Sequence, residues 1–420
     1  MDLKAENINW NCPAGRQLDQ LARRLPKSPR LKLHAINMNE NSSGLQSKPR
    51  YEILDGLRGV AALMVVAFHI LEAHSTTPLN HIINHGYLAV DFFFLLSGYV
   101  VGYAYDDRWG KMNLRGFLMR RLIRLHPMVI MGSIIGAMAF YFAHCEMFWL
   151  IASTPVWKML LVMLVGCTMV PLLPSMDIRG WQEMYPLNGP AWSLFFEYIA
   201  NVIYALMVRH FSKKLLAVLV LLAAAAVIHL GLTSHDGDFA GGWSVDGQNL
   251  HIGFVRLMYP FFGGLLRFRL GKIVRVPHAF WVCSGLIVTV LALPRFGGQA
   301  HYWVNGLYES LCIILIFPLI VALGAGGTLG GKYSAGICDF LGRISYPIYI
   351  THYSLIYIYT AYVTHGNHSL AQAYPYALLV FFGSLALAYG CLRFYDEPAR
   401  EWLKRRRIGA DTRPDTKRIQ

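Results

Sequence analysis

Residues 55–73 read DGLRGVAALMVVAFHILEA. As a helix this stretch is about 28 Å long, close to the thickness of a bilayer's hydrocarbon core. Its middle is apolar, yet it carries Arg58 and His69. Eleven residues separate them, and at about 100° per residue they return to nearly the same helix face, about 16 Å apart along the axis. One face of one span thus holds a cation near one membrane surface and an imidazole deep in or beyond the midplane. Ionisable groups cost enough in a span to mark function. Asp55, three residues before Arg58, is placed to pair with it.

Similar apolar runs recur along the chain, at about 53–75, 87–105, 126–145, 157–174, 190–208, 214–232, 252–268, 278–294, 303–323, 340–363 and 374–394. Of the 420 residues 55% are hydrophobic and only 15% charged, against about 25% charged in a soluble domain. These figures exclude a soluble α/β enzyme and a secreted disulfide scaffold. The fold class expected is an all-α polytopic membrane protein. The net charge of +14 collects at the ends of apolar runs, so it reads as orientation in the membrane, with no nucleic acid as partner. The seven cysteines are scattered without metal spacing and read as packing residues.

Basic clusters lie before residue 53, at 108–124, at 209–214, at 267–275 and after 393, whereas 59–107 and 344–392 hold no Lys or Arg. The positive-inside rule therefore places the connections near 76–86 and 364–373 outside. An alternating path works if run 157–174 fails to cross. It is interrupted by Lys158, Gly166, Pro171 and Pro174 and is expected to be re-entrant or half-length. About ten spans remain, with both termini cytoplasmic. The polar stretch 1–50 is expected to be a disordered cytoplasmic tail, 51–396 the membrane domain and 397–420 a basic cytoplasmic tail. Met38 offers an alternative start. The glycine-rich patch GAGGTLGGK at 324–332 reads as an internal turn, because it follows no strand and lacks a phosphate-loop ending.

Further polar groups sit in the apolar runs. YLAVDFFFLLSGYVVGYAY (87–105) holds Asp91 near its outer end and Ser97-Gly98 in its middle. Asp91 either orients an imidazole such as His69 or is hydrated at the interface; Ser97 and Gly98 suit close helix packing. RGFLMRRLIRLHP (115–127) sets Arg120, Arg121 and Arg124 at near-helical spacing, which suits either anchoring on anionic lipid or phosphate binding. NGPAWSLFFE (188–197) places Ser193 and Glu197 one turn apart, and that glutamate needs an Arg or His on a neighbouring helix. Arg256, in HIGFVRLMYP, reads as an unpaired intramembrane charge. LGRISYPIYITHYSL (341–355) aligns Ser345, Tyr349 and His352 on one face. His74, His81 and His85 read as a hydrated external loop, with no metal site.

In combination and in order, the Arg58–His69 run, VDFFFLLSGYV, RRLIRLHP leading to NGPAWSLFFE, and LGRISYPIYITHYSL resemble the acyltransferase-3 family. These are bacterial integral membrane enzymes that O-acylate envelope and exported glycans. The resemblance covers about residues 51–400. It implies ten spans in the cytoplasmic membrane, cytoplasmic acyl-CoA as donor, no permanently bound cofactor, and an acceptor hydroxyl presented from outside. Residue by residue, it marks Arg58 and His69 as the catalytic pair and Arg120, Arg121 and Arg124 as the basic loop that binds the donor's phosphates. It also marks Trp192, Ser193, Glu197, Ser345, Tyr346 and His352.

Acyl transfer from a thioester needs a base for the hydroxyl and stabilisation of the oxyanion. His69 is the expected base, with Glu197 or Asp91 holding its tautomer. Ser97, Trp192, Ser193, Arg256, Ser345, Tyr349 and His352 are expected to line the substrate path. The N-terminal tail is longer than the family usually shows and no second domain follows the last span, so the expectation is direct delivery of acyl groups or hand-over to another protein. A carrier or flippase for a lipid-linked glycan is the alternative, although no inverted repeat is visible.

Overall fold

The computed structural model describes residues 48–411 apart from Lys272. Nearly all of the expected N-terminal tail, Met38 included, and the end of the C-terminal tail lie outside the described residues. Every regular element among the described residues is helical.

Six helical stretches are long and apolar enough to cross a membrane: Glu52–Glu72, Gly86–Tyr105, Leu114–Ala143, Lys213–Thr233, Trp303–Gly326 and Leu370–Arg406. Length and hydropathy alone thus give fewer spans than the ten read from the sequence. The principal helices are α1 (Glu52–Glu72), α2 (Ala89–Tyr105), α3 (Leu114–Ala139), α4 (Val156–Cys167), α5 (Ala191–Leu206), α6 (Lys213–Thr233) and α7 (Gly247–Leu270). They continue with α8 (Ala279–Ala292), α9 (Trp303–Leu311), α10 (Phe317–Gly326), α11 (Lys332–Gly366), α12 (Leu370–Cys391) and α13 (Glu397–Asp411). A π-turn at Cys312–Ile316 joins α9 to α10, and another at Leu392–Asp396 joins α12 to α13.

The main axis of the molecule is α1 packed along α11, with α2 against α7 beside it. Small residues allow both contacts. Gly59 of α1 rides on the Leu341 backbone, and Gly98 of α2 on the Phe261 carbonyl, where no Cβ would fit. The packing reading of Gly98 holds. The polar character of α7 and α11 follows from their place against other helices, which lets them carry Arg256, His352 and several tyrosines inside the protein.

Helix α4 has 12 residues, about 18 Å, the shortest of three apolar helices that fall short of a bilayer's hydrocarbon core, the others being α5 and α8 with 16 and 14. Its Gly166 end reaches Ser133 of α3. The chain then doubles back, Leu172 N–H donating to Met184 O at 3.1 Å and Met184 N–H to Trp243 O at 2.7 Å. The glycine-rich patch is only partly a turn. Its first three residues complete α10, and 327–331 make the connection to α11, because Gly324 packs on Leu54 and Leu57 and Gly326 on Ile273 and Val274.

Candidate functional site

The α1–α11 interface brings both residues of the opening motif against one partner helix. Arg58 Nε donates to Ser345 Oγ at 2.8 Å and Nη2 to Gly342 O at 3.2 Å, while the expected pair with Asp55 forms at 3.2 Å. Three turns along, His69 Nδ1 meets Glu72 Oε2 at 2.7 Å. Its ring stacks on His352, centroids 5.7 Å apart, and Tyr353 stands edge-on to it at 4.7 Å. Ser345, Tyr349 and His352 do share a side of α11, but Tyr349 leads elsewhere, its hydroxyl lying 2.8 Å from Ser193 Oγ at the start of α5. Tyr346 donates to Leu125 O at 2.5 Å and ties α11 to α3.

Glu72, not Glu197 or Asp91, is the carboxylate on His69. Glu197 instead pairs with Arg121 from α3 and accepts Ser97 Oγ–H at 2.6 Å. It finds the arginine its burial demands, while Ser97 serves the ion pair and not an open wall. Asp91 neither orients His69 nor meets solvent. It pairs with Arg256, Nη2 to Oδ2 at 2.7 Å, the two side chains only 0% and 2% exposed. Arg256 is therefore not unpaired. It also donates to Tyr87 O at 2.8 Å and lies over the Trp192 ring at 5.3 Å. Burying either charge alone would be costly, which explains why the two occur together.

The arginine cluster divides in the same way. Arg121 is committed to Glu197, Arg120 is half-buried, and Arg124 lies within electrostatic range of Arg58 with no hydrogen bond or carboxylate partner among the described residues. Arg58 with its one aspartate, and Arg124 beside it, leave positive charge at that end of the α1–α11 interface.

The histidines of the first connection are not a hydrated loop. His85 is fully buried with Nδ1 3.0 Å from Glu309 Oε1, because Glu309 collects Tyr87, Asn305 and the Phe239 N–H as further donors. His74 Nε2 lies 2.7 Å from Tyr359 Oη. Sequence reasoning missed Glu309, although a lone carboxylate in an apolar run is a signal. It also missed Glu72, which stands one turn after His69.

The fold and this site define a helical multi-pass membrane protein with a histidine–carboxylate pair on the same helix as an arginine about three turns away. A family model for the acyltransferase domain matches residues 51–393, and the chain belongs to that family. It is 33% identical over 195 residues to "Protein 2 in picA locus" of Rhizobium radiobacter, covering 44% of this chain and 95% of that protein. It is 24% identical over 371 residues to a putative O-acetyltransferase of Staphylococcus aureus (strain COL), covering 83% of this chain and 57% of that protein. To the O-acetyltransferase OatA of Staphylococcus aureus (strain NCTC 8325 / PS 47) it is 23% identical over 378 residues, covering 84% and 58%. The chain spans somewhat over half the length of these staphylococcal relatives. No solved structure matches it.

Proposed function

We propose that this chain is a membrane O-acyltransferase, specifically an O-acetyltransferase, that moves an acyl group from cytoplasmic acyl-CoA to a hydroxyl of a cell-envelope or exported glycan. The observation that carries the reading is the α1–α11 interface. It holds Arg58, with Arg124 of α3 within electrostatic range, toward one end and His69, fixed by Glu72 at 2.7 Å, toward the other.

Nδ1–H donates to Glu72, which leaves Nε2 as the basic nitrogen. That nitrogen takes the proton of the acceptor hydroxyl as the oxygen attacks the thioester carbonyl. The C–O bond forms, the C–S bond breaks, and the thiolate leaves with a proton returned by the imidazolium. Arg58 and Arg124 hold the phosphates of the donor, whereas Arg121 stays in its buried pair.

The same reading places the protein in the cytoplasmic membrane with ten spans and both ends of the described chain on the cytoplasmic side. α5, α7, α8 and α11 join the six long apolar stretches as spans, and α4 enters and returns. Its partners are the acyl-CoA donor, the glycan acceptor and the bilayer. Purified protein should release CoA from acetyl-CoA in the presence of acceptor, and a deletion strain should lose an acetyl increment from an envelope glycan by mass spectrometry. Absence of both would end the reading, and transport of intact glycan without CoA release would make the chain a carrier.

A further inference from the structure

The connection from α4 to α5 buries charges that the transfer chemistry above leaves unused. Arg179 is 1% exposed, lies over the Tyr357 ring at 3.5 Å and donates from Nε to Pro186 O at 2.5 Å. Its Nη1 has no partner among the described residues. On Tyr357's hydroxyl sits Glu183, both carboxylate oxygens 2.8 Å from Oη. An apolar contact would seat a connection on a helix at far lower cost than a buried arginine and glutamate. The arrangement leads to the site. Tyr357 stands edge-on to Tyr353 at 4.6 Å and 88°, and Tyr353 stands edge-on to His69 at 4.7 Å and 88°. Gly189 lets the connection lie flat on both rings, since a Cβ there would come within 2.9 Å of Tyr353 and 3.0 Å of the Tyr357 hydroxyl.

Resting on the reading of His69 as the base, we infer that Glu183 is a positioning residue for the transfer, acting through Tyr357 and Tyr353 to hold the ring that packs against His69. The groups facing it are Arg179 and Asp177 from its own segment and Tyr357 and Tyr353 from α11; Glu72 reaches Tyr353 from α1, and Lys158 of α4 holds the Asp177 carbonyl at 2.8 Å. Burial pushes the Glu183 carboxyl up to about 7, against the pull of Arg179 and of the Tyr357 hydrogen bond. The ionised carboxylate accepts the Tyr357 hydroxyl with full strength; the protonated acid does so weakly. The hold on Tyr353 therefore tightens as pH rises through this range. Protonation of Glu183 therefore adds a step of its own to the fall of the rate toward acid pH.

The test uses the full chain in nanodiscs, with acetyl-CoA as donor and, as acceptor, the oligosaccharide mixture released from envelopes of cells lacking it. CoA release is followed from pH 5.5 to 8.5 for wild type, Glu183→Gln, Tyr357→Phe, the double variant and His69→Ala. The wild-type acid limb should include an extra fall of roughly 3- to 10-fold centred near pH 7. Glu183→Gln and Tyr357→Phe should each lack that extra fall, with kcat lowered roughly 3- to 10-fold above pH 7.5, and the double variant should be no worse than either single change. Tyr357→Phe keeps the ring and so keeps the test valid if Glu183→Gln folds poorly. The wild-type acid limb and rate in both single variants, with His69→Ala inactive, overturn the inference. So does a loss of folded protein with the limb unchanged, which is what a merely structural role would give. Full activity in His69→Ala would remove the reading beneath it and the inference with it.

Discussion

His69 and His352 stack with ring centroids 5.7 Å apart, yet they are not equivalent. His69 binds a carboxylate through Nδ1 and is partly exposed, whereas His352 is fully buried, with Nδ1 2.9 Å from the Ile348 carbonyl and Nε2 unpartnered among the described residues. Only the first has both an orienting anion and access to a hydroxyl. His69→Ala should therefore cost roughly 10²- to 10⁴-fold in kcat with normal insertion, the range of general-base catalysis. His352→Phe, which keeps an aromatic ring in the stack, should cost under about 10-fold. The comparison is CoA release at matched protein levels. Equal losses would show that the pair works as a unit.

Glu72→Gln keeps a hydrogen-bond acceptor on Nδ1 but removes the charge that steadies the imidazolium. The carboxylate is 42% exposed, so solvent screens part of its effect. The expected outcome is a kcat about 10-fold lower with both KM values little changed, read from initial rates.

Arg121 and Arg124 lie one turn apart and should fail differently. Arg124→Gln should raise KM for acetyl-CoA and leave thermal stability intact, with the KM penalty shrinking as salt rises. Arg121→Gln leaves the part-buried Glu197 without its cation and should lower stability by about 1–3 kcal/mol, seen as lost folded yield on size exclusion. A stable Arg121→Gln with raised donor KM would return that residue to the phosphate site.

What the sequence made legible was whatever depends on one helix at a time. The Arg58–His69 face, the Asp55–Arg58 pair and the shortness of the helix in 157–174 are matters of periodicity, neighbour spacing and length. Pairings between helices were not legible. Asp91 and Arg256 each stood out as a buried charge, but they are 165 residues apart in sequence and only the fold sets α2 on α7. Burial pairs such charges without leaving any spacing to read. Glu72 was within reach of the same i,i+3 reasoning that found Asp55, and the greater pull of the more distant Glu197 and Asp91 obscured it. Glu183 sits in a connection, where a carboxylate is unremarkable until the packing on Tyr357 is seen.

The ten-span path predicts which connections face outward. In a chain freed of its own cysteines, single cysteines at Ala240 and Asn367 should react with an impermeant maleimide in intact cells, and cysteines at Gly110 and Gly271 only after permeabilisation. All four positions are exposed. Reaction of Ala240→Cys only after permeabilisation would mean that α4 crosses after all.

The Glu183 carboxyl also sets a stability trend. Burial raises its folded-state value from the ordinary 4.5 to about 7, so the folded chain holds this proton more tightly than the unfolded one. Stability then falls as pH rises from about 4.5 through 7 and levels off above, the reverse of an ion-paired aspartate. The ceiling on the loss is about 3 kcal/mol. Glu183→Gln cannot ionise, keeps an acceptor for Tyr357, and should remove this slope, so that its melting temperature in detergent exceeds that of wild type at pH 8 and matches it near pH 5. A wild type whose melting temperature is flat or rises over that interval, with Glu183→Gln running parallel to it, would mean that the carboxylate is already ionised in the fold and satisfied by Arg179.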